Sequence, residues 1–114
     1  MTAADGDEFV ATVIDMLAPL GAIHGARFFG GHALKSADVQ FAMAMKGTLY
    51  LRVNAKLAAE LSARGARPFA YETRRRRVRV DTYYSVPEDL LDDAEILAGW
   101  AARSIAAARV ARKA

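Results

Sequence analysis

Arginine is the residue whose clustering offers chemistry in this chain. Residues 64–79 hold seven arginines (64, 67, 74, 75, 76, 77 and 79) against one carboxylate, Glu72, a local charge of +6. A guanidinium forms two parallel hydrogen bonds with a phosphate or a carboxylate. The run Arg74, Arg75, Arg76, Arg77, Val78, Arg79 is therefore a candidate contact for nucleic acid or for an acidic partner. Each phosphate it neutralised would make binding steeply salt-dependent. The competing and favoured reading is a solvated turn between strands, whose charge keeps a sheet edge from pairing with other chains. In a regular strand Arg75, Arg77 and Arg79 share a face and oppose Val78 and Val80, so they can bind only if that face is uncovered. A third reading pairs them with the acidic run Glu88, Asp89, Asp92, Asp93 and Glu95, a local −5, of this chain or of a second copy.

The other reactive residue types point away from catalysis. There is no cysteine, which removes disulfides, thiol nucleophiles and thiolate metal sites together. His24 and His32 are too few for a metal site without acidic residues at ligand spacing. His32, beside a glycine pair, could act as a general base, but a loop or strand histidine with an ordinary hydrogen bond is the better reading. Gly25–Gly30 matches the GxxxxG half of a phosphate-binding loop, yet two phenylalanines fill it and Gly31-His32 follow where Lys-Ser/Thr belongs. The carboxylates at 88–95 sit where a helix start favours negative charge, so capping explains them better than an acid/base pair. The serines form no triad, and no nucleophile elbow occurs. No cofactor or metal is expected.

The elements that carry these residues follow from periodicity. Val39–Val53, VQFAMAMKGTLYLRV, reads as two strands joined at Lys46-Gly47, where glycine supplies the positive φ of a short hairpin loop. Alternation puts Val39, Phe41, Met43 and Met45 on one face and Gln40, Ala42, Ala44 and Lys46 on the other. Met43 and Met45 then read as core, or as a protein-docking surface. Leu49, Leu51 and Val53 oppose Tyr50 and Arg52. Before the hairpin, Phe9, Val13, Met16, Leu17 and Leu20 make the apolar stripe of a helix over 7–20, with Asp7 and Glu8 in its first turn and Pro19 and Gly21 ending it. Gly21–Gly25 reads as a loop, and 27–34 as one strand bent by its glycine pair.

After the hairpin, Asn54 caps a helix over Ala55–Arg64 closed by Gly65. Phe69–Thr73 and Val78–Ser85 are strands around the arginine turn, with Phe69 and Tyr71 on one face. Val78, Val80, Thr82 and Tyr84 share a face, and Tyr83 points opposite to Tyr84. Pro87 starts a short helix, and Asp92 or Asp93 caps a longer one reaching Arg112. Its buried stripe is Leu97, Trp100, Ala101, Ser104, Ile105 and Ala108.

The totals describe an ordinary globular chain. At 114 residues, 54% hydrophobic and 25% charged, it fits one domain over 1–114 with a core that needs no staples. The start MTAADGDEF lacks a basic segment followed by an apolar one, and no apolar run approaches the ~20 residues that span a bilayer. A cytoplasmic location without membrane contact is expected.

An ordered set of short motifs resembles one family. Arg27-Phe28-Phe29-Gly30-Gly31 is similar to the R-M-F-G-G signature of the N-terminal domain of the TfoX/Sxy family. Phe41-Ala42, Leu49-Tyr50-Leu51-Arg52-Val53, Pro68-Phe69-x-Tyr71, Tyr83-Tyr84-x-Val86-Pro87 and Trp100 follow at the intervals of that family. Phe28 stands where the pattern has Met, and Ser85 where it is usually acidic. The resemblance implies a two-layer α+β fold of order α-β(3)-α-β(2)-α, helices packed on an antiparallel sheet, as in secretion-chaperone-like proteins. It also implies that Arg27, Phe29, Gly30, Gly31, Leu49, Tyr50, Tyr84, Pro87 and Trp100 serve mainly structure. Full-length members regulate natural competence genes alongside the cyclic-AMP receptor protein. The function expected is therefore a non-enzymatic regulatory or adaptor domain working by protein–protein contact in transcriptional regulation. Its expected partners are a transcription regulator and a second copy in a homodimer. The alternative is a nucleic-acid contact through Arg74–Arg79.

Overall fold

The computed structural model describes residues 2–113, and the side chains of residues 8–113. Its first helix, α1, spans Thr2–Met16, beginning earlier than the apolar stripe requires, and a 3-10 turn at Ala18–Leu20 follows. The expected role of Asp7 lies outside the described side chains. Six strands then form one antiparallel sheet: β1 Ile23–Phe28, β2 Gly31–Ser36, β3 Val39–Met45, β4 Thr48–Arg52, β5 Pro68–Glu72 and β6 Arg77–Ser85. Helix α2, Ala55–Ala63, separates β4 from β5, and α3 Glu88–Leu91 and α4 Ala94–Lys113 close the chain. The sheet order is β1-β2-β3-β4-β6-β5. This is the α+β fold the sequence implies.

The local signals explain most boundaries. The Asn54 side chain accepts from the Leu57 amide at 2.8 Å, capping α2. At its other end Gly65, φ +94°, allows Ala66 N–H to reach the Leu61 carbonyl and Gly65 N–H the Ser62 carbonyl, a Schellman closure. Asp93 accepts from the Glu95 and Ile96 amides and starts α4. Lys46 and Gly47, with φ of +52° and +81°, make the β3–β4 turn.

One expectation needs revision at the glycine pair. Residues 27–34 are not one bent strand: Phe29 and Gly30, φ +45° and +82°, form a two-residue hairpin loop between β1 and β2, and β1 takes Ile23–Gly25 from the expected loop. Two positive-φ residues in succession reverse the chain with the hand that matches strand twist. Gly31 plays a different part, because a Cβ there would run into the Ala44 carbonyl and the Met45 sulfur.

The core lies between the sheet and the helices. Val10, Val13 and Leu17 of α1, Leu57 and Leu61 of α2, Leu90 of α3 and Leu97, Ala101 and Ile105 of α4 form one cluster with Leu34, Phe41, Leu49, Leu51 and Tyr84 of the sheet. At the point where the β3–β4 ladder ends, the buried Ser104 hydroxyl lies 2.8 Å from both the Phe41 and the Arg52 carbonyls. Having one proton, it can donate to only one at a time. Trp100, half-buried at the margin of that core, has the Arg64 and Arg103 guanidinium carbons 5.5 and 5.0 Å from its ring centroid, and Arg103 pairs with Glu60.

Candidate functional site: the uncovered face of the sheet

All the helices contribute to the core on one side of the sheet, so the other side shows what the strands leave exposed. Which residues appear there depends on two irregularities. Leu34 pairs with Ala42 but Lys35 pairs with Gln40, so β3 carries one more residue than β2 at Phe41. A bulge of this kind turns two successive side chains to one side. Phe41 and Ala42 both join the core cluster, and the alternation is inverted beyond them. Met43 and Met45 therefore leave the face of Val39 and Phe41 and line the opposite side with Gln40. This corrects the strict alternation read along β3, but not the core reading of Met43, which is 3% exposed at the floor of the groove; Met45 is only half-buried.

Strand β6 repeats the effect. Pro68 pairs with Tyr84 but Phe69 pairs with Val80, so Asp81, Thr82 and Tyr83 have no partner in β5. Tyr83, not Tyr84, joins Val80 on the uncovered face, while Tyr84 enters the core. The two tyrosines do point to opposite faces, but Tyr84 does not share a face with Val80.

The result is an apolar groove of ≈ 460 Å³. Met43, Met45 and Gln40 of β3 and Phe28 of β1 form one part of its lining. Phe69 and Tyr71 of β5 with Val80 and Tyr83 of β6 form another, and Phe29 extends it from the β1–β2 turn. Among the described residues no helix residue takes part. The aromatic rings brace one another edge to face, Phe28 on Phe29 at 4.7 Å and Tyr50 on Phe69 at 5.0 Å. Phe29 is 86% exposed and Tyr71 47% exposed. Phe29 is also held at positive φ, a region that bulky side chains rarely occupy.

Polar groups are few here. Arg52 pairs with Tyr83 across the β4–β6 ladder and sets its guanidinium carbon 5.8 Å from the Tyr83 ring centroid. Its Nε is buried and has no hydrogen-bond partner in the protein. Burial pushes the Tyr83 phenol up from its ordinary value, and the neighbouring Arg52 and Gln40 side chains act to lower it. Across the six strands, the positions that share this face with Met43 and Tyr83 include Lys35 and Arg52 but no Asp or Glu.

The arginine run forms the tip of the β5–β6 hairpin, as its charge and position imply. Thr73 ties the loop: its N–H donates to the Arg76 carbonyl at 2.8 Å, and its Oγ1 accepts from the Arg75 and Arg76 amides. Arg77 pairs with Glu72 and Arg79 with Asp81. Arg74, Arg75 and Arg76 are exposed, with no carboxylate within ion-pair distance among the described residues. None of the arginine pairs found involves the acidic 88–95 segment.

The residues marked by resemblance are dispersed. Leu49 and Tyr84 are in the core, Trp100 borders it, and Gly30 and Gly31 shape the first hairpin. Pro87 precedes α3, and its carbonyl accepts from the Leu90 amide. Arg27 is exposed. Phe29 and Tyr50 belong to the uncovered aromatic surface. Sequence reasoning missed the groove as a unit, because its walls come from β1, β3, β5 and β6. Among the described residues no cluster of three metal-capable side chains occurs, and no helix is long and apolar enough to cross a membrane.

A search of curated proteins finds no match to this chain. The family model for the TfoX N-terminal domain matches residues 15–108, so the chain belongs to that family. It is thus a competence-regulator-like domain, of a family not known for enzymes.

Proposed function

We propose that this member of the TfoX N-terminal domain family is a regulatory or adaptor domain that works by protein contact, with the uncovered sheet face as its contact surface. The observation that carries this reading is the groove itself. Apolar side chains that could have been buried under a helix are instead gathered on the open side, where exposed aromatics border a cavity large enough for several side chains. The occupant that fits is a segment of another protein, presenting apolar side chains to Met45, Tyr71 and Val80. The setting proposed for that contact is transcriptional regulation, a reading supported by membership of a competence-regulator-like family.

Site-specific photo-crosslinking in cells tests the reading. A benzoylphenylalanine at Tyr71 should give one discrete protein adduct, lost on Met43→Asp, whereas the same probe at Ile96, exposed on α4, should not give it. Equal adducts from both positions, or none from Tyr71, would sink the reading.

A second reading is favoured by the unpaired cations at the hairpin tip. Arg74, Arg75 and Arg76 can contact phosphates without first giving up an ion pair. Replacing all three by alanine should then abolish a gel shift whose affinity falls with salt by about 0.9 log units per log unit of salt for each phosphate contacted. Absence of any shift by the wild-type protein at low salt would end this idea.

A further inference from the structure

We infer that the groove selects an apolar partner segment that carries carboxylates, one of them received by Arg52 and others by the arginines of the hairpin tip. This rests on the contact surface proposed above and names the chemistry it reads. Arg52 is part-exposed and holds its guanidinium beside a groove-lining ring, while its Nε, closed off from solvent, has no acceptor within the protein. A carboxylate is the acceptor whose two oxygens match a guanidinium fork. The wider charge pattern agrees, since this face holds Lys35 and Arg52 without any acidic residue. Past Tyr71 the chain leads directly into Arg74, Arg75 and Arg76.

The same pattern argues against other occupants. A second copy stacked on this face would set like charges together, a costly arrangement. Nucleic acid would satisfy the arginines but leave Met45, Val80 and the exposed Tyr71 facing phosphate or water. Aliphatic and aromatic side chains fill such a space better. Phe29 supplies an anchor: its strained backbone fixes an exposed ring at the groove, and such strain persists at sites that use it.

Fluorescence anisotropy on the intact chain can test this with a short labelled peptide alternating Asp with Leu and Phe, its Asn-for-Asp counterpart, and a single-stranded oligothymidine. The Asp peptide should bind about tenfold or more tighter than the Asn peptide, the effect expected of a charge-assisted hydrogen bond. Arg52→Gln should remove most of that difference while leaving the Asn peptide unchanged, and Arg52→Lys should restore only part of it. Because the Asp–Asn comparison uses the wild-type protein, it stands even if an Arg52 variant fails to fold. Equal affinity for both peptides, with both lost in Met43→Ala, would overturn the carboxylate inference and leave the apolar contact surface standing. Binding of neither peptide, or binding indifferent to Met43→Ala and Tyr71→Ala, would overturn both. Tighter binding of the oligothymidine would assign the arginines to nucleic acid. A mass that doubles with concentration and reverts in Phe29→Ala would assign the groove to a second copy. Either result overturns the inference.

Discussion

The two faces of this sheet are made from neighbouring residues of the same strands, yet they have different fates. On one side Leu34, Phe41, Leu49 and Leu51 are sealed beneath α1, α2 and α4. On the other, Met43, Met45, Phe69, Tyr71 and Val80 are nearly as apolar, and among the described residues no helix side chain lines their groove. Hydrophobic character therefore does not tell which side is core. What separates them is the polar detail: the covered face offers Ser104 to its backbone carbonyls, while the uncovered one leaves an Arg52 donor unmatched. One face is complete within the chain, and the other is the face proposed above as a contact surface.

The largest expected effect contrasts truncations on the two sides. Phe41→Ala, in a side chain with no exposure, should lower unfolding free energy by about 3–5 kcal/mol in a urea titration. Tyr71→Ala on the open face should cost less than about 1 kcal/mol. Comparable losses would mean that the open face is a second core and would break the contrast. Next in size, Ser104→Ala should cost about 1–3 kcal/mol, because it leaves a buried carbonyl without its donor. The same titration measures it, and a neutral result would show that water or a backbone shift satisfies that carbonyl.

A smaller effect has the opposite sign. Phe29→Asn should raise stability by about 1 kcal/mol, since Asn tolerates positive φ and Asn-Gly suits a two-residue hairpin loop. The same change should weaken partner binding. A loss of stability would show that the Phe29 ring contributes more packing than its exposure implies.

The smallest effect concerns surface pairs, Glu60–Arg103 and Asp38–Arg112. The arginines, first through direct hydrogen bonds, hold both carboxyls below their ordinary values of 4.5 and 3.8. A depressed folded value means the contribution is present above those values and is lost as pH falls through the lower folded ones. The melting-temperature gap between wild type and Glu60→Gln should therefore be small at neutral pH and close on acidification. A gap that widens in acid would contradict this assignment.

Much of the molecule was legible because its signals are local. The Asn54 cap, the Gly65 closure, the Lys46-Gly47 turn, the α4 stripe and the arginine hairpin tip each follow from residues a few positions apart. The glycine pair was legible only as a break in a strand. Phe29 at positive φ runs against preference, so the two-residue loop carried no favourable sequence signal. The groove was illegible for another reason: its residues lie between 28 and 83 and meet only once the strand order exists.

What the sequence alone determined is the family, the α+β class, most element boundaries and the exposed position of Arg74–Arg76. Periodicity, capping and composition act within a single turn or strand, and nothing distant has to be known. What only the tertiary structure decided is the side of the sheet on which Met43, Met45 and Tyr83 emerge. Alternation along β3 and β6 reads equally well with or without an extra residue. The bulges are set by registers against β2 and β5, and an odd number of unmatched residues, one in β3 and three in β6, moves every later side chain to the opposite face.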